Sequence, residues 1–208
     1  MGYIKLHKNE VCKFARYKLY HWKIYVVGSV EYQYPNHLFQ AGYFLDKKYY
    51  DENTIDFKHL LLSEKNQSLL KDIQNSNSVG VHIRRGDYMT KQNLVIFGNI
   101  CTQKYYHDAI RIITEKVNDA VFYVFSDDIS WVQTHLDIPN AVYVNWNTGE
   151  SSIYDMYLMS SCKYNIIANS TFSYWAARLN KKTNMVIYPS KWYNTFTPDI
   201  FPESWCGI

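Results

Sequence analysis

The sequence has no cysteines in a C-x-x-C pair and no His/Cys cluster at zinc-site spacing. Its four cysteines, Cys12, Cys101, Cys162 and Cys206, are scattered over 208 residues. Such a distribution argues against a disulfide framework and fits a reducing compartment. No apolar run approaches the length that crosses a bilayer, and Lys5, His7, Lys8 and Glu10 interrupt any signal-peptide core. The expectation is a cytoplasmic protein, or one held peripherally at the inner face of the membrane. A strong charge of one sign is also missing. The net charge of +3 is too small for a nucleic-acid surface, although it allows a locally basic pocket. There is no G-x-x-x-x-G-K-[ST] loop and no G-x-G-x-x-G, which argues against a P-loop enzyme or a dehydrogenase. No internal repeat or low-complexity tract is present.

What is there is aromatic and well patterned. Aromatic residues make up 17% of the chain, chiefly through 20 tyrosines, whose apolar body and polar tip suit sugar-facing clefts as well as cores. The first 51 residues show weak periodicity. A helix over 13–23 and a strand over 24–27 are expected there, with loop or turn over 32–35 and 40–44. Residues 51–71 carry one or two helices, and the polar run Asn75-Ser76-Asn77-Ser78 reads as a linker. This divides the chain into a partial N-terminal region, 1–77, and a regular domain, 78–208.

From Val79 onward strands alternate with helices. Strands are predicted over 79–84, 120–125, 141–144 and 164–168, with a last one over 185–188. Helices are predicted after Thr102 as cap, around Trp131, around 152–160 and over 171–179. Alternation at these lengths predicts an α/β fold with a parallel sheet and right-handed crossovers.

The chain is organised around Ser78–Tyr88, SVGVHIRRGDY. Val79, Val81 and Ile83 alternate with Gly80 and His82, as in a strand entering a core, and Gly86 breaks the run. His82, Arg84, Arg85 and Asp87 therefore collect at a strand's carboxyl end, the edge where open α/β sheets bind ligands. Two adjacent arginines suit an anion, because each planar fork matches two phosphate oxygens. A second strand ends in Ser126-Asp127-Asp128. A third ends in Asn169-Ser170-Thr171-Phe172-Ser173, where free amides at a helix start are either a phosphate site or a plain N-cap. Together these point to a nucleoside diphosphate. The acidic pair would accept from a base N–H or a ribose hydroxyl. It could instead bind a metal, but it lacks D-x-D spacing, and an arginine-lined site does not need one. Metal independence is therefore expected.

Three ordered stretches carry a family resemblance. They are HIRRGDY at 82–88, VFSDD at 124–128 followed by Trp131, and DMYLMSSC at 155–162 leading into NIIANSTFSYW at 165–175. The chain resembles the α-1,2-fucosyltransferases of glycosyltransferase family 11. The resemblance implies a GT-B fold with a Rossmann-like donor domain and an inverting mechanism. It also implies GDP-L-fucose as donor, a galactose-terminated glycan as acceptor and no cofactor. By residue, it implies that Arg84 contacts the donor diphosphate with Arg85 behind it, and that His82 and Asp127 or Asp128 lie near guanosine. Asn169, Ser170, Thr171 and Ser173 would lie at the phosphates. Arg84 would stabilise the leaving diphosphate, and Asp87 would take the acceptor proton or else hold Arg84. Family members usually open with a Gly-Gly-x-Gly-Asn-Gln-x-Phe-Gln stretch, which this sequence does not contain. A truncated acceptor-side half is the corresponding expectation, with a silent GDP-fucose-binding fragment or another GDP-sugar transferase as alternatives.

Overall fold

The computed structural model describes residues 25–27, 39–41, 57 and 59–208. Contacts divide the chain into two units, residues 1–51 and 52–208. In the first, β1 (Tyr25–Val27) and β2 (Phe39–Ala41) pair in parallel. β1 falls where a strand is expected, whereas β2 takes in Gln40 and Ala41, read from sequence as turn. The expected helix over 13–23 and loop over 32–35 lie outside the described residues.

The second unit is built from α1 (Glu64–Asn75), β3 (Asn77–Ile83), α2 (Lys91–Phe97), α3 (Gln103–Thr114), β4 (Ala120–Ser126), α4 (Ile129–His135), β5 (Ala141–Val144), α5 (Ser152–Ser160), β6 (Tyr164–Ile166), α6 (Thr171–Arg178), β7 (Met185–Tyr188) and β8 (Cys206–Gly207). Hydroxyl or carboxylate caps start the first four helices. Ser63, Thr90, Thr102 and Asp128 accept from the amides of Asn66, Asn93, Tyr105 and Trp131.

The six strands from β3 to β8 form one parallel sheet in the order β5-β4-β3-β6-β7-β8. Counted from β3, this is the 3-2-1-4-5-6 order of a Rossmann sheet, and the direction of winding reverses between β3 and β6.

Strand alternation explains how the sheet is covered on both faces. Val79, Val81 and Ile83 of β3 join Phe122 and Val124 of β4 against α3 and α4, around Ala109, Ile113 and Val132. On the other face Tyr123 and Phe125 pack against α1, α5 and α6, around Ile73, Leu158, Met159 and Ala176. Gly80 faces this second layer. A Cβ there would stand 2.9 Å from Asn165 Nδ2, 3.0 Å from Met159 Cγ and 3.2 Å from Cys162 Sγ. The missing side chain is what lets α5 close on β3.

Residues 75–78, expected to be a linker, instead join α1 to β3 inside the second unit. Their polarity serves the start of a strand. Asn77 Nδ2 donates to Asn118 O at 2.9 Å, and the fully buried Ser78 accepts from Lys163 N at 3.1 Å. β6 stops at Ile166, two residues early, because Ser170 N turns back to Ala168 O at 2.7 Å as the chain enters α6. β7 is not the last strand. The chain returns, and Cys206–Gly207 pairs with its outer edge. The returning segment covers Tyr174 and Tyr188 with Trp192, Phe201 and Trp205. Among the described residues no helix is long and apolar enough to cross a membrane.

Candidate functional site

Because the winding reverses between β3 and β6, their carboxyl ends open a crevice that no crossover fills. Of the residues singled out at the ends of β3, β4 and β6, Arg84, Arg85 and Asn169 line a cavity there, and Asp127 ties the end of β4 to Arg84.

His82, the next-to-last residue of β3, is 6% exposed. Its carbonyl accepts from Tyr106 Oη at 3.1 Å, and its ring lies 5.1 Å from that of Phe172 in the first turn of α6. Its Nδ1 is buried and has no hydrogen-bond partner among the described residues. Burial, and then the nearby Arg84 guanidinium, lower its pKa to about 3, so the ring is neutral at ordinary pH.

The two arginines are held differently. Arg84 gives Nη1 to Asp127 and Nη2 to Asp87 Oδ1, the latter at 2.6 Å. Arg85 gives its backbone N to Asp127 Oδ1 at 2.9 Å and its Nε to Asp128 Oδ2 at 3.2 Å. Its guanidinium carbon lies 3.6 Å from the centre of the Trp131 ring. Asp127 thus bridges the end of β4 to that of β3. Gly86 opens a 3₁₀ turn over Gly86–Met89, and a Cβ on it would collide with the Asp127 carboxylate. Asp87, expected either to take a proton or to hold Arg84, sits in the bracing position, with its side chain 59% exposed. Asp127 and Asp128, expected near a nucleoside, are engaged with the arginines, and Asp128 Oδ1 also caps α4.

At the end of β6, Asn169 is 2% exposed. Its Nδ2 donates to Phe97 O at 3.2 Å and to Trp192 O at 3.0 Å, and its Oδ1 accepts from Cys101 Sγ at 3.4 Å. Its carbonyl accepts from Tyr88 Oη at 2.9 Å. The side chain joins α2, the chain beyond β7 and Cys101, so it is a tie between segments. Ser170 is the N-cap of α6, but its hydroxyl makes no capping bond, unlike the caps of α1 to α4. Ser173 is fully buried and donates to Ala168 O and Ser170 O, each at 3.3 Å, which places it in the helix interior.

Beside the arginines lies a cavity of about 230 Å³, lined by Arg84, Arg85, Tyr88, Phe97, Trp131 and Asn169 among others. Ser170, Thr171, Ser173, Asp127 and Asp128 do not line it. Cys101 does, and burial pushes its thiol up to about 12.

Sequence reading missed α2, which forms a wall of the cavity through Leu94 and Phe97. It passed for loop because the helix is a short one, although Thr90 as cap and the Leu94/Phe97 spacing were available signals. The same reading included Asp155 within the third stretch but gave it no role. That carboxyl accepts from Asn147 Nδ2 at 2.6 Å, and burial raises its pKa to about 7.

The family model of glycosyl transferase family 11 matches residues 5–208. An α-1,2-colitosyltransferase of Escherichia coli is 35% identical over 87% of this chain and 63% of its own length. The O-antigen biosynthesis glycosyltransferase WbnK, also of Escherichia coli, is 44% identical over 58% of this chain and 40% of its own. Galactoside alpha-(1,2)-fucosyltransferase 2 of Pongo pygmaeus is 28% identical over 72% of this chain and 48% of its own. The chain therefore spans between 40% and 63% of the length of these relatives. Among solved structures, NodZ α-1,6-fucosyltransferase soaked with GDP-fucose aligns over 57% of this chain and 43% of its own, at 18% identity and a TM-score of 0.39.

Proposed function

Since the chain belongs to glycosyl transferase family 11, we propose that it transfers L-fucose from GDP-L-fucose to the 2-hydroxyl of a galactoside, with inversion and without a metal. In this reading residues 78–208 form the donor half of a GT-B enzyme, and residues 1–77 belong to the acceptor side.

One observation carries the reading. At the reversal of the sheet, two guanidinium groups line one cavity with Asn169 at the end of β6, and the start of α6, which lacks a side-chain cap, follows directly in the chain. Such a start presents free N–H groups and the positive end of a helix dipole. The buried, neutral His82 lies against that same first turn and is held for a base or a ribose. As the glycosidic bond breaks, charge grows on the leaving diphosphate. Arg84 and the α6 amides stabilise it more than they stabilise the bound donor. Arg84 exchanges one of its carboxylate partners for phosphate oxygens on binding. The freed carboxylate, Asp87 or Asp127, then stands near the reaction, and Asp87 is the more exposed of the two.

A second reading concerns the sugar. The similarity to an α-1,2-colitosyltransferase favours colitose as the alternative transferred sugar.

Calorimetry with GDP, GDP-fucose and GDP-mannose, paired with a transfer assay on lactose, tests the proposal. The expected result is binding of GDP and GDP-fucose in preference to GDP-mannose, with transfer to the galactose 2-hydroxyl. Binding without transfer favours a silent GDP-sugar module, and no binding at all removes the nucleotide site.

A further inference from the structure

We propose that Trp131 is a positioning residue for Arg85. With Asp128 it holds that guanidinium at the cavity wall, so that its two terminal nitrogens are kept for an anionic ligand. The proposal rests on the reading of this edge as a phosphate site.

The geometry is a closed circuit. Ser126 Oγ accepts from Asp128 N at 3.0 Å and sets the turn after β4. Asp128 then divides its two oxygens. Oδ1 takes the amide of Trp131 at 3.1 Å, and Oδ2 takes Arg85 Nε at 3.2 Å. The same carboxylate that starts α4 therefore fixes one edge of the guanidinium. The first turn of that helix brings the indole onto the guanidinium plane, at 3.6 Å. The indole is itself held, with the His135 ring stacked on it at 4.5 Å and 12°, one helical turn on. Both Arg85 and Trp131 line the cavity.

The contrast with Arg84 gives the arrangement its meaning. Both terminal nitrogens of Arg84 are spent on carboxylates. Those of Arg85 have no hydrogen-bond partner among the described residues, although the side chain is only 19% exposed. A half-buried cation with its Nε and its plane restrained and its fork unspent is pre-organised for a bidentate anion. Lysine in its place would keep the charge and lose the stacking and the fork. If Trp131 served only to wall the α4 layer, its loss would weaken folding without coupling to Arg85.

The test is a double-mutant cycle on the full chain, read by calorimetry with GDP and, separately, with inorganic pyrophosphate. Trp131→Leu should weaken both probes about tenfold, as expected for a lost, partly desolvated cation–π contact. Trp131→Phe should recover most of that loss. In an Arg85→Ala background, Trp131→Leu should cost no further affinity. Asp128→Asn, which keeps the helix-cap acceptor but loses the charge, should act in the same direction and likewise fall silent without Arg85. It carries the test if Trp131→Leu does not fold.

Wild-type affinity in Trp131→Leu, or a full additional loss in the double variant, overturns the proposal. Binding of pyrophosphate but not GDP by the wild type sinks the nucleotide reading and leaves the cycle measurable. Binding of neither probe sinks both.

Discussion

His82 is buried and Asp155 half-buried, and their titrations oppose each other. Burial holds the His82 pKa at about 3 in the folded chain, against 6.5 for the ordinary group. The unfolded chain therefore takes up the proton first as pH falls, and stability present above pH 6.5 is lost on the way down to 3. A His82→Gln variant should show a flatter fall in urea midpoint between pH 7.5 and pH 5. An unchanged fall would assign the loss to other groups. Asp155 has the other sign. Its folded value is about 7 against 3.8, so its contribution is present below 3.8 and lost as pH rises through 7. Asp155→Asn keeps an acceptor for Asn147 and cannot ionise. It should therefore lose less stability than wild type between pH 4 and pH 8 in the same measurement. Arg84 belongs to the same scale. Removing it leaves Asp127 and Asp87 beside the crevice without their guanidinium. Arg84→Ala should abolish donor binding, and a variant that binds GDP as tightly as wild type would end the assignment.

Among the elements, β3 decides how the sheet is packed. Its apolar residues face one helix layer, and Gly80 admits the other. In Gly80→Ala the new methyl would meet Asn165 Nδ2 at 2.9 Å and Met159 Cγ at 3.0 Å, both on segments tied into the core. Asn165 Nδ2 donates to Met159 O at 3.0 Å and cannot swing away freely. The expected cost is about 1–3 kcal/mol of unfolding free energy, measurable by chemical denaturation. A neutral result would mean that α5 moves outward without strain. The helices differ in how legible they are. α3 announces itself through Thr102 and a row of apolar residues at helical spacing. α2 is short and lies on the surface, and several of its residues gain their role only from the wall of the cavity they form. Propensity and periodicity carry little signal for such an element. Residues 75–78 misled for the converse reason. Their polarity reads as exposure, yet Ser78 is buried with a specific backbone partner.

For the whole molecule, the strand order opens the crevice in which the proposed donor site lies. A ligand held at the ends of β3 and β6 bridges both halves of the sheet and binds the folded chain alone. GDP at about a hundred times its dissociation constant should therefore stabilise the protein by about 2.7 kcal/mol. In a domain of this size that corresponds to about 5–10 °C in Tm by differential scanning fluorimetry. A midpoint that does not move with GDP concentration would contradict a nucleotide site on the folded protein.

Apart from α2, the order of strands and helices from β3 to β7 could be read from the chain by itself. So could the clustering of His82, Arg84, Arg85, Asp127 and Asn169 at strand ends, since period and spacing are local properties of a polypeptide. That Asp127 braces Arg84 and Asp128 braces Arg85 was settled only when β3 came to lie beside β4. Asn169, a tie between segments, and Ser173, an interior residue, were likewise settled only in the fold. Partners such as Asp127 for Arg84 and Phe97 for Asn169, 43 and 72 residues away, are chosen by how the strands and helices pack, and no local pattern encodes it.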